Sequence, residues 1–175
     1  LGTKKLHDGI IDSTAFDVAY SSSNVLQELI GNILDISMIE SEKLVIHYTE
    51  MELRKTIEQI ISLFRPGAFI NGIELVLLYP AKLDDIIVTT DELRFRQVVS
   101  NIISNAIKFT NEGEVRVAVE CVNSQVTDVA LLQIAITDTG CGISPEGQQT
   151  LFRPFSQADI NGYSHQSGSG LGLLI

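Results

Sequence analysis

Helical and strand-like hydrophobic patterns follow one another irregularly between Glu42 and Thr137, and this order constrains the fold more than any other feature of the sequence. Apolar residues at three- and four-residue steps predict helices over Glu52–Phe64 and Asp91–Phe109. Short runs of aliphatic residues between turn residues predict strands over Lys43–Tyr48, Ile73–Tyr79, Ile86–Thr90, Val115–Val122 and Val129–Thr137. Because strands and helices do not alternate strictly, the sequence predicts an α+β fold, a two-layer sandwich in which a mixed sheet carries helices on one face.

Local signals indicate where the predicted helices begin and end. Pro66-Gly67 follows the first helix and is expected to stop it. Asp91 precedes the second helix, where its carboxylate is expected to cap backbone N–H groups. The turn around Asn123–Asp128 is expected to join the last two strands as a hairpin.

A long helical pattern precedes this region. It is formed by residues at three- and four-residue steps: Phe16, Tyr20, Ser23, Leu26, Ile30, Ile33 and Ser37. The pattern predicts a helix over about residues 14–40. This helix suits either a hairpin arm that also contacts a second subunit or a core helix of a single globule. The sequence therefore predicts a helical region over residues 1–41 and a second domain over residues 42–175.

Charge and cysteine content exclude several classes of protein. The 175 residues contain 12 Lys and Arg against 22 Asp and Glu, a net charge of −10, which argues against general nucleic-acid binding and against docking on an anionic membrane. The two cysteines, Cys121 and Cys141, predict neither a disulfide framework nor a zinc site, and they favour a reducing, cytoplasmic location. No apolar run is long enough to span a bilayer, so we expect any membrane anchor to lie outside this sequence.

Two amide side chains stand out on the Asp91–Phe109 helix. Asn101 and Asn105 are four residues apart and lie on the same side of the helix. Their apolar neighbours are expected to be buried: Val98, Ile102 and Ala106. Amide oxygens suit Mg²⁺, and Lys108, one turn beyond Asn105, suits a phosphate group. The alternative is a hydrogen-bonded asparagine pair with a purely structural role.

The segment Asp138-Thr-Gly140-Cys-Gly142-Ile143 directly follows an apolar strand. A carboxylate at a strand end can accept from the amine of adenine, and the glycines allow backbone to approach a flat ring closely. The alternative is an ordinary β-turn.

A second glycine pattern, Gly168-Ser-Gly-Leu-Gly172, offers backbone N–H groups to a phosphate. No strand precedes it and no Lys-Ser/Thr follows it, which argues against a Rossmann or a Walker A loop. It suits a mobile lid hinged at Gly162 and Gly168, or a flexible linker. Just before it, Phe152 and Phe155 flank a proline and are expected to anchor a loop in the core.

The four patterns occur in a fixed order: Asn-x₃-Asn-Ala-x-Lys-Phe, D-x-G-x-G, Phe-x-x-Phe and G-x-G-x-G. This order resembles the N, G1, F and G2 boxes of sensor histidine kinases, and Phe152–Asp159 is especially similar to the hybrid kinases. Asn32–Leu44 resembles the second helix of the family's dimerisation domain. The resemblance implies an ATP-binding sandwich of the Bergerat type in the GHKL superfamily, preceded by a helix that forms a homodimer within a four-helix bundle.

The resemblance also implies a role for each box residue. Asn105 would be the principal Mg²⁺ ligand with Asn101 next to it, Lys108 would face the phosphates, and Phe109 would flank the base. Asp138 would accept from the adenine N6 amine. The other implied ATP-binding residues are Gly140, Gly142, Ile143, Phe152, Phe155, Gly168, Ser169, Gly170, Leu171 and Gly172.

The position of Asn101 bears on the reaction. Gyrase and the mismatch-repair ATPases have a glutamate at the resembling position, and an amide cannot act as the base that activates water. The resemblance therefore implies phosphoryl transfer from ATP to a histidine, with a response-regulator receiver domain as the next partner. The alternative is a degenerate or regulatory module that binds ATP or a partner kinase without transfer.

The phosphoacceptor itself is not expected in this sequence. His7-Asp8 matches the first two letters of the family's phosphoacceptor motif, but no proline follows where the family has one. We therefore expect no catalytic histidine in this sequence and no autophosphorylation by this chain alone.

Overall fold

The structure is a computed structural model that describes residues 13–123, 130–152 and 172–173. The chain divides into two compact units between Leu44 and Val45. The boundary at residues 41/42 that the sequence suggests stays a prediction, and each unit is described by itself.

The first unit contains one long helix, α1, over Ser13–Glu40, close to the range expected from the hydrophobic pattern. Its carboxyl end is closed by backbone hydrogen bonds from Glu42 to Ile39 and from Lys43 to Met38. Glu42 has a φ of 55°, so the helix ends in the arrangement that usually has glycine at this position. Nine large apolar residues are exposed among the side chains of α1 that the structure describes: Phe16, Val18, Tyr20, Leu26, Ile30, Ile33, Leu34, Met38 and Ile39.

The second unit begins with a small antiparallel sheet of β1 (Thr49–Glu52) and β3 (Ile87–Thr90). The strand expected over Lys43–Tyr48 was wrong, since those residues are neither helix nor strand. Val45, Ile46 and Tyr48 are exposed, whereas Met51 in β1 is 1% exposed and lies opposite Val88. The strand therefore forms directly after the apolar run, at the position where a side chain can be buried.

Helix α2 spans Leu53–Ile70 and continues through Pro66, so the stop expected at Pro66-Gly67 was wrong. The last turn is retained because Ala68 is 1% exposed and packs in a cluster with Ile73, Ala106 and Val115. This tertiary burial outweighs the backbone hydrogen bond that a proline removes. Just beyond Ile70, the backbone N–H groups of Asn71 and Gly72 donate to carbonyls of the last turn.

The larger sheet has the strand order β2-β4-β5, formed by Ile73–Leu78, Gly113–Asn123 and Ala130–Asp138. β4 runs parallel to β2 and antiparallel to β5, which confirms the predicted mixed sheet. Helix α3 spans Glu92–Phe109, and a short helix, α4, spans Pro145–Gln148.

The core lies between the helices and one face of this sheet. Most of its buried side chains come from α2, α3 and alternate positions of β4: Leu53, Ile57, Ile60, Ile61, Val99, Ile103, Val117 and Val119. Met51 and Leu83 complete the cluster. The outcome confirms the predicted α+β sandwich. It also places the carboxyl ends of α3 and β5 near each other, because Cys141 donates from its backbone to Phe109.

Candidate functional site

Asp91 caps helix α3, as the sequence predicted. Its Oδ1 accepts from the backbone N–H of Arg94 at 3.1 Å, and its Oδ2 accepts from that of His47 at 2.9 Å. The hydrogen bonds from His47 and Arg94 lower the pKa of the Asp91 carboxyl below its usual value. The cap therefore connects the first turn of α3 to the backbone just before β1.

The two sides of α3 have different surroundings. Val99, Ile103 and Ala106 are buried in the core. Asn101 and Asn105 are partly buried and lie on the other side of the helix, since each residue turns the helix by about 100°.

The expectation that all apolar neighbours of the amides are buried was wrong in part. Val98 is 41% exposed and Ile102 is 38% exposed, and only Ala106 is buried. Val98 and Ile102 each lie one residue, about 100° of rotation, before the buried positions 99 and 103. Outside its buried face, helix α3 therefore presents two amides together with two exposed aliphatic side chains.

Asn101 contacts the end of the second glycine pattern. Its Nδ2 donates to the backbone carbonyl of Gly172 at 3.1 Å. The structure thus brings together two residues that are far apart in the sequence and that belong to different boxes. Phe155, Gly168, Ser169, Gly170 and Leu171 lie outside the described residues.

Lys108 and Phe109 occupy the last turn of α3. The Lys108 Nζ lies 5.1 Å from the centroid of the Phe109 ring, within the range of a cation–π contact. Partial burial lowers the pKa of Lys108, because desolvation disfavours the charged amine. Both side chains are partly buried.

The turn after β5 packs against this end of α3. The Gly140 backbone N–H donates to Asp138 Oδ1 at 2.9 Å, and the Cys141 N–H donates to the Phe109 carbonyl at 3.4 Å. Gly140 lies so close to the Phe109 carbonyl oxygen that a Cβ at this position would collide with it. Glycine is therefore required at position 140, because the turn packs closely on α3.

Comparison with known proteins identifies the domain that contains α3 and the turn after β5. Residues 90–175 match the family model described as histidine kinase-, DNA gyrase B-, and HSP90-like ATPase. The chain carries a histidine kinase ATP-binding catalytic domain.

Curated relatives of this histidine kinase domain are sensor proteins. It is 43% identical over 166 residues to the virulence sensor protein BvgS of Bordetella pertussis. The alignment covers 94% of this chain and 13% of BvgS. It is 35% identical over 154 residues to the signal transduction histidine-protein kinase BarA of Escherichia coli K12, covering 88% of this chain and 17% of BarA. The chain thus spans only a small part of the length of these relatives.

Solved structures show the same fold. The histidine kinase AdeS of Acinetobacter baumannii superposes with a TM-score of 0.70 at 22% identity, covering 98% of this chain and 77% of AdeS. Full-length ShkA, solved with AMPPNP, gives a TM-score of 0.71 at 23% identity, covering 94% of this chain and 33% of ShkA.

The remaining predicted residues of the histidine kinase domain lie on its surface. Gly142 has a φ of 68°, which favours glycine, and Ile143 is exposed. Phe152 is 69% exposed, so the expectation that it anchors a loop in the core was wrong. This exposed position leaves its ring accessible to a ligand or to another part of the protein.

The Thr139 side chain makes a contact that the sequence did not predict. The Thr139 hydroxyl accepts from the backbone N–H of Glu114 at the start of β4, next to Gly113, which has a φ of 111°. A signal was available, since a hydroxyl residue between Asp138 and Gly140 is a frequent source of local hydrogen bonds. Its partner could not be deduced, because the contact joins distant segments.

Two features were not found in the part of the chain that the structure describes. Over residues 13–123, 130–152 and 172–173, three or more His, Cys, Asp or Glu side chains nowhere gather as a metal site would require. Across those same ranges, none of the helices has both the length and the apolar content needed to cross a membrane.

Proposed function

We propose that this protein is an ATP-dependent histidine kinase of a two-component phosphorelay, and that this domain binds ATP and transfers its γ-phosphoryl group to a histidine. The observation that carries the proposal is the meeting of three box segments at α3. Asn101 contacts Gly172, and the Phe109 carbonyl contacts the turn that follows Asp138. The match of residues 90–175 to the ATPase family model supports nucleotide binding at these contacts.

The amides of α3 fit a magnesium ion that arrives with nucleotide. Asn101 and Asn105 provide neutral oxygen atoms, the ligand type that Mg²⁺ prefers, on the side of α3 away from the core. Since neutral amides do not balance the charge of a divalent ion, a triphosphate must contribute to holding it. When bound, magnesium neutralises charge on the phosphates during transfer.

The end of α3 and the turn after β5 supply contacts for the nucleotide. Lys108 carries the cation that a phosphate group attracts, and its lowered pKa would rise again beside a phosphate. Asp138 accepts from the adenine amine, and Phe109 flanks the base. We assign the other base contacts to Gly140, Gly142, Ile143, Phe152 and Phe155, and the phosphate contacts to the backbone of Gly168, Ser169, Gly170, Leu171 and Gly172.

The side chain at position 101 favours transfer over hydrolysis. An asparagine cannot remove a proton from water at neutral pH, so the domain does not activate water against ATP. The γ-phosphorus instead forms a bond to an imidazole nitrogen while its bond to the bridging oxygen breaks and ADP leaves. The imidazole proton is released to solvent.

Partners follow from the helix α1 and from the relatives. We propose that the protein forms a homodimer through α1, because nine large apolar residues are exposed among its described side chains: Phe16, Val18, Tyr20, Leu26, Ile30, Ile33, Leu34, Met38 and Ile39. We also propose that a response-regulator receiver domain accepts the phosphoryl group. The histidine kinase ThkA, whose fold is similar at a TM-score of 0.60, has been solved in complex with the response regulator TrrA.

We infer a cytoplasmic location for this domain, where ATP is available.

A transfer experiment tests the proposal. The full-length protein is incubated with Mg²⁺ and ATP labelled at the γ-phosphate, and label is followed to its own histidine or to a supplied histidine domain. We expect acid-labile, base-stable label on histidine and little free phosphate. Nucleotide binding without transfer would instead favour a regulatory module, and steady release of phosphate without a histidine would indicate an ATPase.

A further inference from the structure

Thr139 lies between Asp138 and Gly140, which packs on α3, yet the Thr139 side chain contacts a different segment. The hydroxyl oxygen accepts from the Glu114 backbone N–H at 3.1 Å. The hydroxyl also lies 3.2 Å from the Glu112 carbonyl and 3.4 Å from the Glu114 carbonyl, to which it can donate its single proton. One hydroxyl therefore has three backbone partners, on Glu112 just before β4 and on Glu114 within it.

Gly113 leaves the space that this hydroxyl occupies. A Cβ at Gly113 would collide with Thr139 Oγ1 and lie 3.3 Å from the Thr139 Cβ. Gly113 also has a φ of 111°, a backbone conformation that residues with a side chain rarely adopt. The hydroxyl at position 139 and the missing side chain at position 113 are thus complementary.

The contact holds the backbone beside Asp138 from one side, and α3 holds it from the other. The Thr139 backbone N–H donates to the Glu114 carbonyl at 3.2 Å. The next residue, Gly140, packs on the Phe109 carbonyl oxygen and donates to Asp138 Oδ1 at 2.9 Å. The direction of the Asp138 carboxylate therefore depends on a turn that Thr139 fixes in place.

We propose that Thr139 is a positioning residue that aims the Asp138 carboxylate and so sets the preference for adenine over a purine with a carbonyl group at C6. The inference rests on the proposed function, since Asp138 meets a purine amine only if the domain binds ATP. A correctly aimed carboxylate accepts from an amine and repels a carbonyl oxygen, and a loosened one discriminates less between the two.

The test compares ATP with inosine triphosphate, in which a carbonyl replaces the amine. Dissociation constants for both nucleotides with Mg²⁺ are measured by calorimetry on the full-length protein and on its Thr139→Val variant. Because one net hydrogen bond corresponds to about a two- to tenfold change in an equilibrium constant, we expect the ratio of the two constants to fall by that factor. A purely structural role would weaken both nucleotides equally and leave the ratio unchanged.

Two further variants sharpen the result. Thr139→Ser keeps a hydroxyl and is expected to restore the ratio of the unaltered protein. Thr49→Val is the matched control, because Thr49 is also exposed and its hydroxyl lies 3.3 Å from the Thr90 carbonyl, in the small sheet. This control is expected to leave the ratio unchanged.

The outcomes separate this inference from the proposed function. An unchanged ratio in a folded Thr139→Val variant overturns the inference, as does a serine variant that behaves like valine. If the valine variant does not fold, hydrogen exchange of the Glu114 amide in the unaltered protein decides: slow exchange supports the contact, and exchange as fast as in an unstructured peptide overturns it. An unaltered protein that binds neither nucleotide contradicts the proposed function, and this inference with it.

Discussion

Gly140 and Gly172 belong to similar glycine patterns, but their surroundings differ at the level of single atoms. At Gly140 a Cβ would collide with the Phe109 carbonyl oxygen and lie 2.8 Å from Asp138 Oδ1. At Gly172 the nearest atom to a Cβ would be Asn101 Cγ at 3.7 Å, an ordinary contact. The absence of a side chain is therefore a packing requirement at the first position and not at the second.

This difference predicts opposite outcomes for two alanine variants. Gly140→Ala must displace backbone and is expected to destabilise the fold by about 1–3 kcal/mol, the usual cost of overpacking. Gly172→Ala is expected to leave the free energy of unfolding unchanged within error. Urea unfolding without nucleotide measures both, and equal stability of the two variants would contradict the described packing.

The Asp91 cap predicts a pH dependence of stability. Backbone hydrogen bonds from His47 and Arg94 lower the pKa of Asp91 in the folded protein. The stabilisation is therefore present above the pKa of the unfolded chain, about 4, and is lost as the pH falls through the lower folded pKa.

In the Asp91→Asn variant this contribution cannot titrate, while asparagine can still cap the helix. We expect the stability of this variant to fall less steeply than that of the unaltered protein as the pH is lowered from 5 to 3 (about the range in which carboxylates titrate). Thermal unfolding across this range provides the measurement, and parallel curves for the two proteins would count against the assignment.

Among the elements, α2 shows how packing decides where a helix ends. Pro66 removes a backbone hydrogen bond, yet the helix runs on to Ile70 because Ala68 is buried against the larger sheet and α3. Gly67 lies inside this helix, and a Cβ there would meet no atom within 4 Å.

Gly67→Ala is therefore expected to stabilise the protein by about 0.5–1 kcal/mol, since glycine is costly within a helix. The matched control is Gly72→Ala just beyond the helix, where a φ of 70° should make alanine destabilising. Chemical denaturation compares the two. If Gly67→Ala gave no gain, the helix would end at Pro66 as the sequence suggested.

At the scale of the whole molecule, the features that local pattern decides could be predicted from the sequence. Periodicity and a capping carboxylate identify α3 and its first residue, because both signals lie within the helix itself. The order of the boxes identifies the residues around it.

Features that depend on contacts between distant segments could not be predicted. The strand at Thr49–Glu52 forms where Met51 is buried against its partner strand, and α2 passes Pro66 because of a tertiary contact. The Thr139–Gly113 contact likewise joins two turns that only the folded sheet brings together. The exposure of Val98, Ile102 and Phe152 depends on what the fold leaves uncovered.

The exposed apolar side of α1 predicts how the protein assembles. Ile30 and Ile33 are 58% and 53% exposed on this helix. If α1 forms the homodimer, replacing both with glutamate should convert dimers to monomers in sedimentation velocity experiments, because buried unpaired charges are costly. Leu63→Glu, at an exposed apolar position of α2, serves as the control and should leave the dimer intact. Dimers that persist with both glutamates on α1 would place the interface elsewhere.

The central claim is that the amides of α3 and Asp138 form one site for ATP with magnesium. Calorimetric titration with a non-hydrolysable ATP analogue, with and without Mg²⁺, tests it most directly on the full-length protein and on Asn105→Ala, Asp138→Ala and Asn71→Ala. Asn71 is an exposed asparagine at the end of α2 and serves as the control. We predict magnesium-dependent binding in the unaltered protein and in Asn71→Ala, and a loss of at least tenfold (about 1.4 kcal/mol) in the other two. Unchanged affinity in folded Asn105→Ala and Asp138→Ala would contradict the account.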